Sequence, residues 1–175
     1  GINKRLYFID SSTMELFKDI MKGAGPSKAD GRRKGGVKVH MLVNAEHLIP
    51  GVVYINEARE NDRIFMDKIE APKGSILVFD RGYVKFSQWQ KWTDQGLYWV
   101  TRLNKDANYE VLEEQPVNET QKGVLEDQII LLGRGTNRTT ARIKVRRVLY
   151  YDQVNDRIFE FVTNPICVKT ADING

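Results

Sequence analysis

The sequence is poor in the residues that cross-link small proteins or bind zinc in them. Its 175 residues include one cysteine, Cys167, and two histidines, His40 and His47. A single cysteine cannot form an internal disulfide, and these three residues cannot supply the four Cys and His ligands of a structural zinc site. The sequence therefore excludes disulfide-rich secreted domains and zinc modules of that type. A reducing compartment, the cytoplasm, is the expected location.

Long apolar runs are also absent. No run exceeds about five residues, whereas roughly 18 are needed to cross a bilayer. The first residues lack the apolar stretch of a signal peptide. We therefore expect no membrane partner. The chain begins with Gly1 where a start methionine would stand and ends in Asn174 and Gly175, which suggests an excised piece of a longer protein.

Charge is nearly balanced in total and uneven along the chain. Lys and Arg number 27 against 23 Asp and Glu, a net charge of +4. Residues 22–38 hold six basic residues, one acid and five glycines, which predicts a mobile basic loop. Residues 106–127 hold seven acids and one lysine, and residues 134–147 hold six basic residues and no acid. We expect these two segments on opposite faces, and the arrangement favours a polyanionic partner.

Hydrophobic periodicity predicts a mixed α/β fold. Strands are predicted at residues 6–9, 37–44, 52–55, 75–79 and 97–103. The first helix is predicted from the capping-box pair Ser12 and Glu15 to Gly23, and the second after a cap at Asn61 or Asp62. The third contains Phe86, Trp89 and Trp92 and ends at Gly96, with both tryptophans in the core. After Asn104 the pattern becomes alternating strands.

Two aspartates, Asp10 and Asp80, each follow an apolar strand and precede a predicted turn into a helix. In α/β sheets ligands gather outside the carboxyl ends of strands, and two neighbouring carboxylates repel unless protonated or bridged by a cation. Carboxylate oxygens suit Mg²⁺ or Mn²⁺, and two such ions can drive phosphoryl transfer. The simpler alternative is that each aspartate only caps the following helix.

Four segments carry a family pattern: residues 8–13 (FIDSST), 37–44 (VKVHMLVN), 77–83 (LVFDRGY) and 98–103 (YWVTRL). Together they resemble the catalytic core of bacterial insertion-sequence transposases, and most closely the insertion sequence four family. Residues 159–164 (FEFVTN) match more loosely. The resemblance implies a ribonuclease-H-like (retroviral-integrase-like) mixed sheet with a β-rich insertion, and an Asp-Asp-Glu triad that binds two Mg²⁺ ions to cleave and transfer DNA strands. It makes Asp10 the first acid and Asp80 the second.

The resemblance also implies a division of the chain and a gap in its site. Residues 1–103 form the first part of the catalytic core, 104–160 the β-rich insertion, and 161–175 the return to the core. The family's catalytic glutamate lies on a helix after the insertion, yet no glutamate follows Asn164. Glu160 and Asp172 are poor substitutes for it. We therefore expect a C-terminally truncated fragment that holds Mg²⁺ or Mn²⁺ weakly and does not transpose alone.

Eight further residues are candidates for DNA contact. Arg81 and Tyr83 belong to the family motif and could meet phosphate near the metal site. Basic residues of the glycine-rich segment and of a later strand could lie along the DNA backbone; they are Arg32, Arg33, Lys34, Arg142, Lys144 and Arg146. A solvated surface explains the basic residues as well, and packing in the core explains Tyr83. We expect transposon-end and target DNA as partners, with a homodimer in the active complex.

Two alternative functions stay open. In the first, the chain is a non-catalytic DNA-binding or regulatory fragment whose aspartates only cap helices. In the second, it is a metal-dependent nuclease of the same fold without a transposon partner. Both histidines are expected to be structural, because neither has a companion ligand at a recognisable spacing.

Overall fold

The computed structural model describes residues 5–15, 36–57, 63–133 and 142–165. Within these ranges the chain forms nine strands and two helices. The strands are β1 (Leu6–Glu15), β2 (Gly36–Asn44), β3 (Pro50–Glu57), β4 (Ile76–Phe79), β5 (Tyr98–Arg102), β6 (Tyr109–Glu114), β7 (Val124–Leu132), β8 (Ile143–Asp152) and β9 (Arg157–Thr163). The helices are α1 (Arg63–Met66) and α2 (Phe86–Asp94).

All nine strands belong to one mixed sheet, in the order β3-β2-β1-β4-β5-β9-β8-β7-β6. Strands β1, β2 and β3 are antiparallel neighbours, whereas β4 runs parallel to β1 and β5 runs parallel to β4. Parallel neighbours need a crossover connection rather than a hairpin. Helix α1 lies in the connection before β4, and helix α2 lies in the connection between β4 and β5. The mixed α/β sheet predicted from periodicity is therefore present.

The helix predicted from Ser12 is wrong at its start. Strand β1 continues through Asp10 to Glu15 and pairs with β2 along its whole length, with Ser12 opposite Val39. A capping box is a local signal, and the alternating apolar pattern of β2 offers a long partner strand that overrides it. The remainder of that predicted helix, and the predicted caps Asn61 and Asp62, lie outside the described residues. Helix α1 spans Arg63–Met66, a single turn.

Helix α2 packs its aromatic face against strands β4 and β5. Trp89 and Trp92 are buried, which confirms their predicted place in the core. The Trp89 ring lies 4.7 Å from that of Trp99 on β5, and Phe79 on β4 contacts both helix tryptophans. Gly96 follows the helix with a φ of +74°, a conformation that side chains other than glycine rarely adopt. This packing fixes the end of β4 relative to α2.

The strands after Asn104 continue the same sheet. Strand β9 pairs with β5 on one side and with β8 on the other, so it connects the β-rich segment to the first five strands. Strands β8, β7 and β6 then follow as antiparallel neighbours. Residue 160, where sequence patterns mark the end of the insertion, lies inside β9.

Candidate functional site

Asp10 on β1 and Asp80, the first residue after β4, lie at neighbouring positions at the boundary between these adjacent strands. The last pair between β1 and β4 joins Ile9 to Phe79, and each aspartate is the next residue along its strand direction. Adjacent strands run about 4.8 Å apart. Ile9 and Phe79 are buried and both aspartates are exposed, so the two carboxylates belong to the sheet face opposite the aromatic core. Strand β1 loses β4 as a partner at this point.

Neither aspartate caps a helix. Asp10 lies inside β1, where its Oδ1 accepts a hydrogen bond from the Ser11 backbone N–H at 2.7 Å. Asp80 begins a turn in which its backbone carbonyl accepts from the Tyr83 N–H at 3.0 Å. Helix α2 starts later, with Lys85 as its N-cap and no side-chain capping bond. The helix-capping alternative for these two residues is therefore wrong.

A third residue of this site, Arg102, was missed by the sequence analysis. Its Nη2 donates a hydrogen bond to Asp80 Oδ1 at 2.9 Å. This hydrogen bond, together with the Arg81 backbone N–H and the nearby guanidinium charges, lowers the pKa of Asp80 despite partial burial. The signal lies in the register, because Thr101 pairs with Phe79 and Arg102 then follows in line with Asp80. In the sequence Arg102 belongs to the family segment 98–103, but nothing there connects it with Asp80.

The turn after Asp80 is anchored by Tyr83. The Tyr83 side chain is buried, and its hydroxyl lies 3.1 Å from His40 Nδ1 on β2. Trp89 Nε1 also donates to the Tyr83 carbonyl at 3.1 Å. Tyr83 thus lies in the core, whereas Arg81 is exposed beside the aspartates. His40 has the structural surroundings expected of it, stacked on Phe65 at 5.1 Å.

The other DNA-contact candidates fall into two groups. Arg32, Arg33 and Lys34 lie outside the described residues. Arg142, Lys144 and Arg146 lie before and along β8, with Ile143 and Val145 buried on the opposite side. Arg142 pairs with Glu110 at 3.7 Å, and Arg146 donates to the buried Asp127. Part of the positive charge on this strand is therefore compensated.

Where the structure describes them, the acidic segment and the basic segment do not lie on opposite faces. Arg147 is 7% exposed and donates to Glu126 on β7 and to Glu160 on β9. Burial opposes its charge, but these two hydrogen bonds outweigh that effect and raise the pKa of Arg147. The described parts of the two segments lie on the paired strands β7 and β8, so their charges neutralise one another there. Glu160 is engaged in this cluster.

The donor set fits part of a divalent-metal site. Asp10 and Asp80 offer exposed carboxylate oxygens, which Mg²⁺ and Mn²⁺ prefer, and leave room for water and substrate oxygens. Among the residues that the structure describes, no three His, Cys, Asp or Glu side chains gather closely enough to hold a metal. The described site thus contributes two acidic ligands.

The strand order defines a class of protein. Three antiparallel strands followed by two parallel ones, with the order β3-β2-β1-β4-β5 and acids at the β1–β4 boundary, form a ribonuclease-H-like domain. The family model described as "Transposase DDE domain" matches residues 2–165. The chain belongs to this family, as the resemblance to insertion-sequence transposases implied. Membership of the insertion sequence four subfamily stays a prediction.

Two comparisons agree with this assignment. A protein of Sinorhizobium fredii (strain NBRC 101917 / NGR234) named "Putative transposase y4zB" is 26% identical over 112 residues, which cover 64% of this chain and 30% of that protein. The cryo-EM structure of the piggyBac transposase synaptic complex with hairpin DNA superposes with a TM-score of 0.50 at 10% identity. It covers 97% of this chain and 34% of the piggyBac chain, and it supports the fold. The chain thus spans about a third of the length of each.

No helix within the described ranges is long and apolar enough to cross a membrane.

Proposed function

We propose that this chain is the DNA-cleaving and strand-transferring core of a transposase, with Asp10 and Asp80 as metal ligands. The observation that supports it most is the register of β1 and β4: their last pair joins Ile9 to Phe79, and an aspartate follows each of these two residues along the chain. Carboxylates at neighbouring positions on one sheet face can both reach the same divalent cation, whose bonds to oxygen are about 2.0–2.1 Å long for Mg²⁺. The family assignment supplies the reaction class.

In this proposal the chain's own residues bind and orient the metal ions and the DNA. When bound, Mg²⁺ or Mn²⁺ would activate the attacking oxygen and stabilise the leaving oxygen. Asp10 and Asp80 hold the cations at the sheet face. The Asp80 turn, anchored through Tyr83 to His40 and Trp89, keeps the second carboxylate in place. Residues 1–175 carry Asp10 and Asp80 but no glutamate after Asn164, so we expect weak metal binding and no transposition by residues 1–175 alone.

Transposon-end and target DNA are the proposed partners. Arg81 is exposed beside the aspartates, and Lys144 is exposed on β8. These two residues would contact DNA phosphates. The other basic residues proposed to contact phosphate are Arg32, Arg33, Lys34, Arg142 and Arg146. The active complex is proposed to be a homodimer on bacterial nucleoid DNA. Affinity for a DNA duplex should fall steeply with salt, because Lys and Arg release counterions when they neutralise phosphates. An affinity that does not change between low and high salt would argue against this DNA surface.

The full-length protein offers the functional test. Incubated with transposon-end DNA and Mg²⁺, it should cleave the end and join it to target DNA, and Asp10→Asn or Asp80→Asn should abolish both steps. Cleavage without joining would favour the metal-dependent nuclease instead. DNA binding with no aspartate-dependent chemistry would favour the non-catalytic fragment.

A further inference from the structure

Arg102 occupies a position next to Asp80 that a metal ion would also need. The guanidinium donates to Asp80 Oδ1 at 2.9 Å, and the two side chains are 49% and 56% exposed. An oxygen that accepts a hydrogen bond from a cation has less charge and fewer free lone pairs to offer a second cation. A divalent ion bound between Asp10 and Asp80 would also stand within a few ångströms of the guanidinium and repel it.

We propose that Arg102 is a built-in counter-ion that competes with the divalent metal for Asp80 and leaves this carboxylate when the metal binds. The inference rests on the proposed metal site and goes beyond it, because it assigns the metal-free site a specific competitor. The exposure of both partners makes exchange feasible, since a half-exposed ion pair is weak and its members can rehydrate. A buried arginine, such as Arg147, could not act in this way.

The structure also offers Arg102 a second position. Arg102 lies on the wall of a cavity of about 520 Å³ that opens beside the end of β5. The residues that line the same cavity include Asp106, Asn104 and Asn108, together with the aromatic residues Phe86 and Trp89. Asp106 thus provides another carboxylate, and the asparagines provide amide oxygens, to a guanidinium that has left Asp80. In this account Arg102 alternates between Asp80 without metal and the Asp106 side of the cavity with metal.

The expected effect can be sized from the contact. An exposed ion pair of this kind corresponds to a roughly 1.5- to 5-fold change in affinity when it must be broken. A guanidinium that has left Asp80 still repels the dication at longer range, so its removal adds a smaller further gain at low ionic strength. Arg102→Gln should therefore tighten Mn²⁺ binding by at least about 3-fold, and the gain should shrink as salt screens the charges.

The test is Mn²⁺ titration calorimetry on the 175-residue chain and its variants. Lys122→Gln, an exposed lysine in the turn before β7, removes the same charge far from the aspartates and serves as the matched control. Tighter binding by Arg102→Gln but not by Lys122→Gln supports the proposal. Equal or weaker binding by Arg102→Gln overturns it while leaving the metal site intact. If no variant binds Mn²⁺, the metal site and this inference both fail.

A double-mutant cycle tests the second position. If Arg102 lies near Asp106 when the chain has bound metal, Asp106→Asn should weaken Mn²⁺ binding in the wild-type background. The same substitution should have less effect when Arg102 is already glutamine. Additive effects of the two substitutions would overturn the exchange between Asp80 and Asp106. The side-chain Nε–H signal of Arg102 gives a direct readout, because Mg²⁺ should shift it in the wild-type chain. An Nε–H signal that does not move at Mg²⁺ saturation would contradict the departure of Arg102.

Discussion

Substitution of Arg147 by methionine should destabilise the β-rich part of the sheet. The guanidinium is 7% exposed and donates to Glu126 at 2.6 Å, to Gln128 at 2.6 Å and to Glu160. Removing one partner of a buried ion pair costs about 3–5 kcal/mol when the remaining charge stays buried. Here Glu126 and Glu160 are 45% and 26% exposed and can partly rehydrate. Because hydrogen bonds to charged groups contribute about 1.5–3 kcal/mol, we expect a loss of about 2–3 kcal/mol.

Urea unfolding followed by circular dichroism measures this loss. In a chain of this length the change corresponds to a fall in Tm of roughly 4–12 °C. The urea midpoint should drop with an unchanged slope, since the unfolded chain exposes the same surface. Lys144→Met is the matched control, because Lys144 lies on the same strand and is exposed. A loss for Arg147→Met within about 0.5 kcal/mol of the control would refute the structural role of this cluster.

Three further predictions concern single positions. Gly123 has a φ of +83°, and an added Cβ would lie 2.6 Å from the Tyr150 ring, whereas Gly74 has a φ of +84° and open space around it. Gly123→Ala should therefore lower the free energy of unfolding by clearly more than the roughly 1–2 kcal/mol expected for Gly74→Ala. Equal losses for the two variants in urea unfolding would refute the close approach. Arg102→Gln should raise the pKa of Asp80 towards its usual 3.8, because the Arg102 hydrogen bond is the main cause of its depression; a carboxyl-carbon NMR titration without an upward shift would contradict that cause. Because the pKa of Asp80 is lower in the folded chain than in the unfolded chain, Asp80 stabilises the fold above its unfolded-state pKa, and this stabilisation is lost as the pH falls through its folded-state pKa. Below about pH 4 the wild-type chain should therefore lose slightly more stability than the Arg102→Gln variant.

Local patterns in the sequence predicted the elements that depend on local signals. The apolar run before Asp80, the alternation in β2 and the helical spacing of Phe86, Trp89 and Trp92 each determine their element within a few neighbouring residues. The capping box at Ser12 was misleading because β1 gains its ladder from β2, some 25 residues later in the chain. Tertiary pairing outweighed the local signal there.

The site was predictable only in part for the same reason. Asp10 and Asp80 stand out because each follows an apolar run, and the family pattern points to them. Arg102 and the acidic partners of Arg147 depend on strand register, which joins residues 13 to 22 positions apart. A one-residue shift in register would move these side chains to the other face of the sheet. Sequence alone does not fix that register in the β-rich segment.

The central claim is that Asp10 and Asp80 share a divalent cation. The most direct test is Mn²⁺ titration of the isotope-labelled 175-residue chain by NMR, because the paramagnetic ion broadens signals of nearby nuclei. Substoichiometric Mn²⁺ should first broaden the amide signals of Asp10, Ser11, Asp80 and Arg81. Either Asp10→Asn or Asp80→Asn should remove this selective broadening. Broadening that is spread over the surface, or that persists at the same amides in both variants, would contradict a metal site built on these two aspartates.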